Sequence, residues 1–211
     1  MTTSLPARSQ LKRHSIMTAG RDLFLLHGYR GASMDQIAAA AAVSKQTVYK
    51  HFGDKRELLL AIVTDAVEAT VTSFAARIAG LADTADVEHD LTAVGVDYLQ
   101  AVLAEQVVQL RRLVIAEASR VPELAALYYE HAPAKTLDAL AATFRALDGR
   151  GVLTVPDPHR AAAHFAFLVV GKSIDEALFF GGPQTLARLD VADCAQSGVR
   201  VFLAHYRTGR R

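Results

Sequence analysis

An all-α fold is the expectation this sequence sets, on three observations. Hydrophobic residues fill 51% of the 211 positions, enough for a sizeable core, and alanine dominates them. Alternating Val-Ile-Thr runs and Asn-Gly hairpin turns, the usual signs of sheet, are absent. Apolar residues instead recur at helical spacing between Ser or Asp caps and Gly or Pro stops.

Taken in chain order, Met1 to Gln10 reads as a flexible arm. Ile16, Ala19, Gly20, Leu23, Leu26 and His27 share a face of a first helix, Leu11 to His27, which Gly28 stops. Ser33 caps a second helix, Met34 to Ala41, with Asp35 in its first turn, where an acid suits the helix dipole. Ser44 caps a third, Lys45 to Phe52, and Gly53 ends it. Asp54 and Glu57 have capping-box spacing before a long fourth helix that runs to about Leu81. Further helices are expected at Val87–Ala104, Gln106–Ser119, Pro122–Asp148 with a bend near Pro133, His159–Phe180 and Asp190–Tyr206. Gly181-Gly182-Pro183 breaks the last two apart.

Composition narrows the class of function. One cysteine, Cys194, leaves no internal disulfide and suits a reducing cytosol. The first residues are polar and basic with no apolar stretch behind them, and the longest apolar run, Ala161 to Gly171, is far short of the roughly 20 residues of a membrane span. A cytoplasmic protein without a membrane partner is expected. The net charge of +1 conceals a split. Residues 1–56 carry nine Lys and Arg against three Asp, whereas the remainder carries fourteen basic and nineteen acidic side chains. A basic front end suits a polyanion, although a solvated basic surface would look the same by charge alone.

The stretch from Met34 to Leu58, MDQIAAAAAVSKQTVYKHFGDKREL, carries the chemistry. Met34, Ile37, Ala38 and Ala41 line one side of the second helix, and Val48 and Phe52 one side of the third. The third helix is too short to stand alone and needs packing to exist. Gln46, Thr47 and Lys50 occupy its opposite arc, flanked by Lys45, Tyr49 and His51. Long donors, hydroxyls and cations without an acid fit a helix entering a DNA major groove about 12 Å wide. Gln46 has the donor–acceptor pair for an adenine edge, and Lys50 reaches a guanine or a phosphate. Thr47, Tyr49 and His51 have the reach for phosphate oxygens, and the free N–H groups after Ser33 and Ser44 offer further phosphate seats. Lys12, Arg13, Lys45 and Lys55 complete the DNA-binding candidates, with double-stranded DNA as the expected partner.

The same stretch resembles the TetR-family signature. Val43, Ser44, Lys45, Thr47, Val48, Tyr49, Phe52, Lys55 and Leu58 match it, preceded by Phe24, Gly28, Tyr29, Ser33, Asp35, Ile37 and Ala38. The resemblance covers about Leu11 to Leu60. Two positions depart from the pattern: Ala42 stands where Gly is frequent in the turn, and Ala32 where Thr often precedes the cap. Ala42 suggests a turn with no obligatory positive φ, and Ala32 lacks a phosphate-contacting hydroxyl. Gln109 to Leu153 resembles the AefR-type C-terminal domain. The resemblance implies about nine helices: a three-helix helix-turn-helix domain, residues 1–56, joined by a long helix to a larger effector-binding and dimerisation bundle, residues 57–211. It implies a homodimer through the last two long helices, a small-molecule effector of unspecified identity, and repression at a palindromic operator.

Within that bundle, Tyr98, Glu117, Tyr128, His164, Phe165 and Phe167 are polar or aromatic residues beside aliphatic stripes, as a ligand cavity needs. Each one alone also fits ordinary packing. Phe165, Leu168, Leu178 and Phe202 offer apolar bulk for a dimer interface or for the core of the single chain. No phosphate-binding loop, Gly-x-Ser-x-Gly or His-Glu-x-x-His occurs, so neither enzyme chemistry nor a cofactor or metal is expected. The rival reading is a helical small-molecule-binding protein or enzyme whose C-terminal bundle is the main active part.

Overall fold

The computed structural model describes residues 5–209, and the part of the expected flexible arm at residues 1–4 lies outside them. Eleven α-helices are formed among the described residues: α1 (Leu5–Gly31), α2 (Met34–Ala40), α3 (Lys45–Phe52), α4 (Lys55–Gly80), α5 (Val87–Leu103), α6 (Glu105–Glu117), α7 (Pro122–Tyr129), α8 (Lys135–Gly149), α9 (Pro158–Phe180), α10 (Gly182–Leu186) and α11 (Val191–Tyr206). The all-α expectation holds. Two of the helices beyond the expected nine or so have local causes. The helix expected from Pro122 to Asp148 is two helices joined by a π turn at Glu130–Ala134, which holds Pro133. The Gly181-Gly182-Pro183 stop opens a further short helix, with Pro183 in its first turn, where its missing N–H costs nothing. None of the described helices is long and apolar enough to cross a membrane.

The expected arm at residues 5–10 is helical instead, since Pro6 falls in the first turn of α1 and does not interrupt it. Gly28, at φ 70° and ψ 172°, breaks the regular run of α1 as expected. The buried stripe of α1 is Ile16, Met17, Gly20 and Phe24, whereas Leu26 is 74% exposed. Gly20 allows the approach of α4, because a Cβ there would lie 3.0 Å from Ile62 Cδ1 and 3.2 Å from Leu58 Cδ2.

The chain divides into two compact units. One comprises the chain up to Val67 together with Leu113–Tyr128, and the other comprises Glu68–Arg112 and Tyr129–Arg211. Arg56 ties the two segments of the first unit, pairing with Glu123 as well as with Glu57 at 3.2 Å. The hydrogen bond that Arg56 donates to Glu123 holds its guanidinium above the usual pKa. The α7 N-terminal backbone, and then Arg56, hold the Glu123 carboxyl below the usual carboxylate range.

The second unit is built around α5, α8, α9 and α11. Its centre is an aromatic cluster in which Phe165 meets Phe144 edge-on at 5.7 Å and Phe202 edge-on at 5.5 Å, while Phe144 and Phe202 lie 5.0 Å apart. Tyr206 extends the cluster, with its centroid 4.7 Å from that of Phe202. Small residues bring the surrounding backbones close. A Cβ on Gly95 would stand 3.2 Å from Ala195 Cβ, and one on Gly198 would stand 2.9 Å from the Leu168 carbonyl oxygen. The chain after α11 is fastened by Thr154 N–H donating to Tyr206 O at 2.7 Å and Thr208 N–H to Val152 O at 3.3 Å.

Candidate nucleic-acid interface

Two Ser caps and a tight turn position α2 and α3. Gln36 N–H donates to Ser33 Oγ at 3.2 Å and Ser33 N–H to Gln36 Oε1 at 2.9 Å, a reciprocal capping box. Ser44 Oγ accepts from Thr47 N–H at 3.2 Å and starts α3. At Asp54, Oδ1 accepts from Glu57 N–H at 2.8 Å, while the Asp54 N–H goes to Phe52 O at 2.6 Å, and the Glu57 carboxylate pairs with Arg56. Met34, Ile37 and Ala38 from α2 and Val48 and Phe52 from α3 are buried, so packing holds both short helices.

The turn between them corrects one expectation. Ala42 has φ 54°, a left-handed conformation. Val43 N–H donates to Ala38 O at 3.0 Å and Ala42 N–H to Ala39 O at 3.1 Å. That is a Schellman cap, whose geometry places the residue one past the helix end at positive φ whatever its side chain. Ala42 therefore carries a Cβ penalty of about 1–2 kcal/mol, and its exposed methyl packs on little. Ala42→Gly should stabilise the chain by about 0.5–1 kcal/mol, once the extra entropy of an unfolded glycine is deducted. The urea midpoint should rise at unchanged slope, and a fall would contradict the strain.

Gln46, Tyr49 and Lys50 project from α3 into solvent, and Ser33, Ser44 and Lys45 are exposed beside them. Thr47 is half-buried, and its hydroxyl is 2.8 Å from Ser44 Oγ, so the two are tied to each other. His51 is half-buried with its ring 6.1 Å from that of Phe52. Lys12 and Arg13 are exposed on α1, and the Arg13 guanidinium lies 5.3 Å from the centroid of Phe52, near the end of α3. Arg13 Nη1 also lies 3.0 Å from Met17 Sδ.

Lys55 is placed differently from the others. Its ammonium donates to the carbonyls of Tyr29 at 2.8 Å and Ala32 at 2.9 Å, and stands 4.5 Å from the centroid of the Tyr29 ring. This DNA-binding candidate thus caps the end of α1 and holds the start of α4 against it. Asp35, the acid in the first turn of α2, meets Lys45 Nζ at 2.8 Å across the turn. The hydrogen bond to Asp35 holds the Lys45 ammonium above its usual pKa.

The candidate ligand residues are divided between the two units. Glu117 and Tyr128 are buried in the first unit, where Glu117 pairs with Arg120 at 3.4 Å. Tyr98, in the second unit, stacks on Phe74 at 4.9 Å. His164 is exposed with Nδ1 2.8 Å from the Tyr206 hydroxyl. Phe167 is 72% exposed on the outer side of α9 and, with His164, Leu168, Val201 and His205, lines a surface groove of about 600 Å³. Of the candidate ligand residues, His164 and Phe167 share this groove.

Among the candidate interface residues, Leu168 is 42% exposed and Leu178 half-buried. Phe165 and Phe202 are corrected: at 0% and 1% exposure they form the core described above and are closed to another subunit. On α9, Ala161, Ala162, Phe165, Ala166, Val169 and Val170 point inward, and the neighbouring arc with His164, Phe167 and Leu168 points outward. No group of three His, Cys, Asp or Glu side chains that could hold a metal ion occurs among the described residues.

Comparison with known proteins agrees with this architecture. Residues 16–62 match the profile of the bacterial regulatory proteins of the tetR family, and residues 89–208 match that of the AefR-like transcriptional repressor C-terminal domain. The chain is 39% identical over 61 residues to the transcriptional activator FasR of Mycolicibacterium smegmatis, a match over 29% of this chain and 28% of that protein. It thus spans little more than a quarter of FasR. A crystal structure of a TetR-family regulator from Mesorhizobium loti superposes with a TM-score of 0.88 at 31% identity, over 96% of this chain and 100% of that one. The flavonoid-responsive regulator FrrA superposes with a TM-score of 0.73 at 28% identity, over 94% and 98%. With one profile spanning more than half of the chain and a 31% identical structure matched along its whole length, the chain belongs to the TetR family of bacterial transcription regulators.

Proposed function

We propose that the chain is a ligand-responsive repressor, a cytoplasmic homodimer released from a palindromic double-stranded DNA operator by a small molecule. The observation that carries the DNA reading is the exposed arc of α3. Gln46, Tyr49 and Lys50 stand on a helix whose start is capped by Ser44 and whose opposite side is anchored by Val48 and Phe52. Donors on a rigid short helix suit base edges, and Ser33, Ser44, Lys12, Arg13 and Lys50 then meet the sugar-phosphate backbone. We assign DNA binding to residues 1–56 and effector binding and dimerisation to residues 57–211.

The small-molecule response is supported by FrrA, described as flavonoid-responsive, and repression by the description of the matched C-terminal profile. The effector acts by preferring a subunit spacing that does not fit successive major grooves, so that binding shifts the population away from DNA.

The test is selection of bound fragments from a random duplex pool, followed by titration against salt. Affinity should fall steeply with salt concentration, since phosphate contacts release counterions. Gln46→Ala should relax preference at one base pair per half-site, at about 1–3 kcal/mol. Salt-independent binding would overturn the DNA reading, and an unchanged selected site would overturn the role of Gln46.

A further inference from the structure

We propose that Asp35 sets the selectivity of the DNA interface by holding Lys45 out of the pool of cations free to grip any phosphate backbone. The inference rests on the DNA-binding reading above. Lys45 Nζ lies 2.8 Å from one Asp35 carboxylate oxygen and 3.1 Å from the other, so the ammonium is shared by both. The pair bridges the turn, from the first turn of α2 to the first residue of α3. Both side chains are exposed, at 58% and 65%, on the edge that carries Ser44, Gln46 and Tyr49.

The electrostatics of the two helix starts explain the pairing. A carboxylate is favoured at the N-terminus of α2, while a cation is disfavoured at the N-terminus of α3. Asp35 compensates the misplaced charge of Lys45. The ammonium also stands 5.9 Å from the centroid of the Tyr49 ring, so acid, cation and aromatic form one cluster beside the base-reading arc. An exposed pair of this kind adds little to stability; its consequence falls on binding.

Non-specific binding consists of phosphate contacts alone, so a neutralised lysine and a carboxylate near the polyanion weaken it in full. Operator binding adds base contacts from Gln46, which Asp35 does not touch, and gains a Lys45 already fixed in place. Asp35 therefore lowers non-operator affinity more than operator affinity, and discrimination rises through a repulsive element.

The experiment compares Asp35→Asn, Lys45→Met and the double variant with the wild type. The probes are a fragment selected by wild-type binding and a duplex of alternating dI and dC, over a range of salt. Binding of the selected fragment by the wild type establishes the DNA reading, and its absence would overturn that reading instead. Asp35→Asn should tighten non-operator binding by roughly two- to five-fold per subunit, the range an exposed ion pair withholds. It should steepen the salt slope by about 0.9 per subunit as Lys45 becomes free to neutralise a phosphate. Lys45→Met, made in the intact chain, should flatten the non-operator slope by clearly less than that amount. In the Lys45→Met background Asp35→Asn should leave the slope unmoved. A slope unaffected by Asp35→Asn, or steepened equally without Lys45, would overturn the proposal; so would a full loss of slope on Lys45→Met alone.

Discussion

Gly182→Ala should unfold the unit that contains it at a markedly lower denaturant concentration than the wild type. A Cβ at this position would overlap the Leu103 carbonyl oxygen and lie 3.1 Å from the Leu103 carbonyl carbon and 3.2 Å from Val108 Cγ2. The first two atoms are backbone at the end of α5, so no rotamer change relieves the overlap, and α10 must move away. That movement opens the surroundings of Leu103 and Val108, both 0% exposed. Overpacking of this kind costs about 3 kcal/mol or more, a large share of the roughly 5–15 kcal/mol that holds a typical domain together. For a chain of this length the thermal midpoint should fall by about 6–12 °C. A midpoint within a degree of the wild type would contradict the close approach of α10 to the end of α5. The exposed arc of α3 lies elsewhere in the chain, so any loss of DNA binding at low temperature should be smaller than the loss of stability.

What the sequence shows and hides follows the range of the interaction. Caps are local: Ser33, Ser44, Asp54, Asp157 and Asp190 each accept from a backbone N–H three residues on, and a helix start can be read from such a residue by itself. Gly28 and Gly53 likewise announce the positive φ they adopt. Ala42 hides the same backbone state, because the Schellman cap imposes it and the residue type does not reveal it. Lys55 reads as a surface cation until its two carbonyl acceptors, 26 and 23 residues earlier, are known. The pairing of Asp35 with Lys45 has the same character, at a separation of ten residues. On α9 apolar residues occur all round the helix, so periodicity fails to separate the arc with Phe165 from the arc with Phe167. Phe165 and Phe202 match Phe167 in size and apolarity, and only their packing against Phe144 places them in the core.

The exposed arc leads to the second large effect. Phe167, Leu168 and Val201 are 72%, 42% and 55% exposed on α9 and α11, a concentration of apolar side chains that a solitary chain would leave in water. In the proposed homodimer this arc meets its own copy across a two-fold axis, so each residue enters the interface twice. Phe167→Arg then sets two guanidinium groups against each other in a desolvated contact, and the dimer should dissociate at micromolar concentration. Because a single short α3 contacts too few base pairs alone, the coupling of two half-sites contributes on the order of 10²–10⁴-fold to operator affinity, and that factor should be lost. The folded protomer should survive, since the Phe167 ring makes little of the core. Phe202→Arg is the contrasting variant: it buries a charge among Phe144, Phe165 and Tyr206, and should give unfolded or aggregated protein instead of a folded monomer. Sedimentation reads the mass and circular dichroism the fold of each. A Phe167→Arg protein that sediments as a dimer and binds the selected fragment as the wild type does would place the interface on another face.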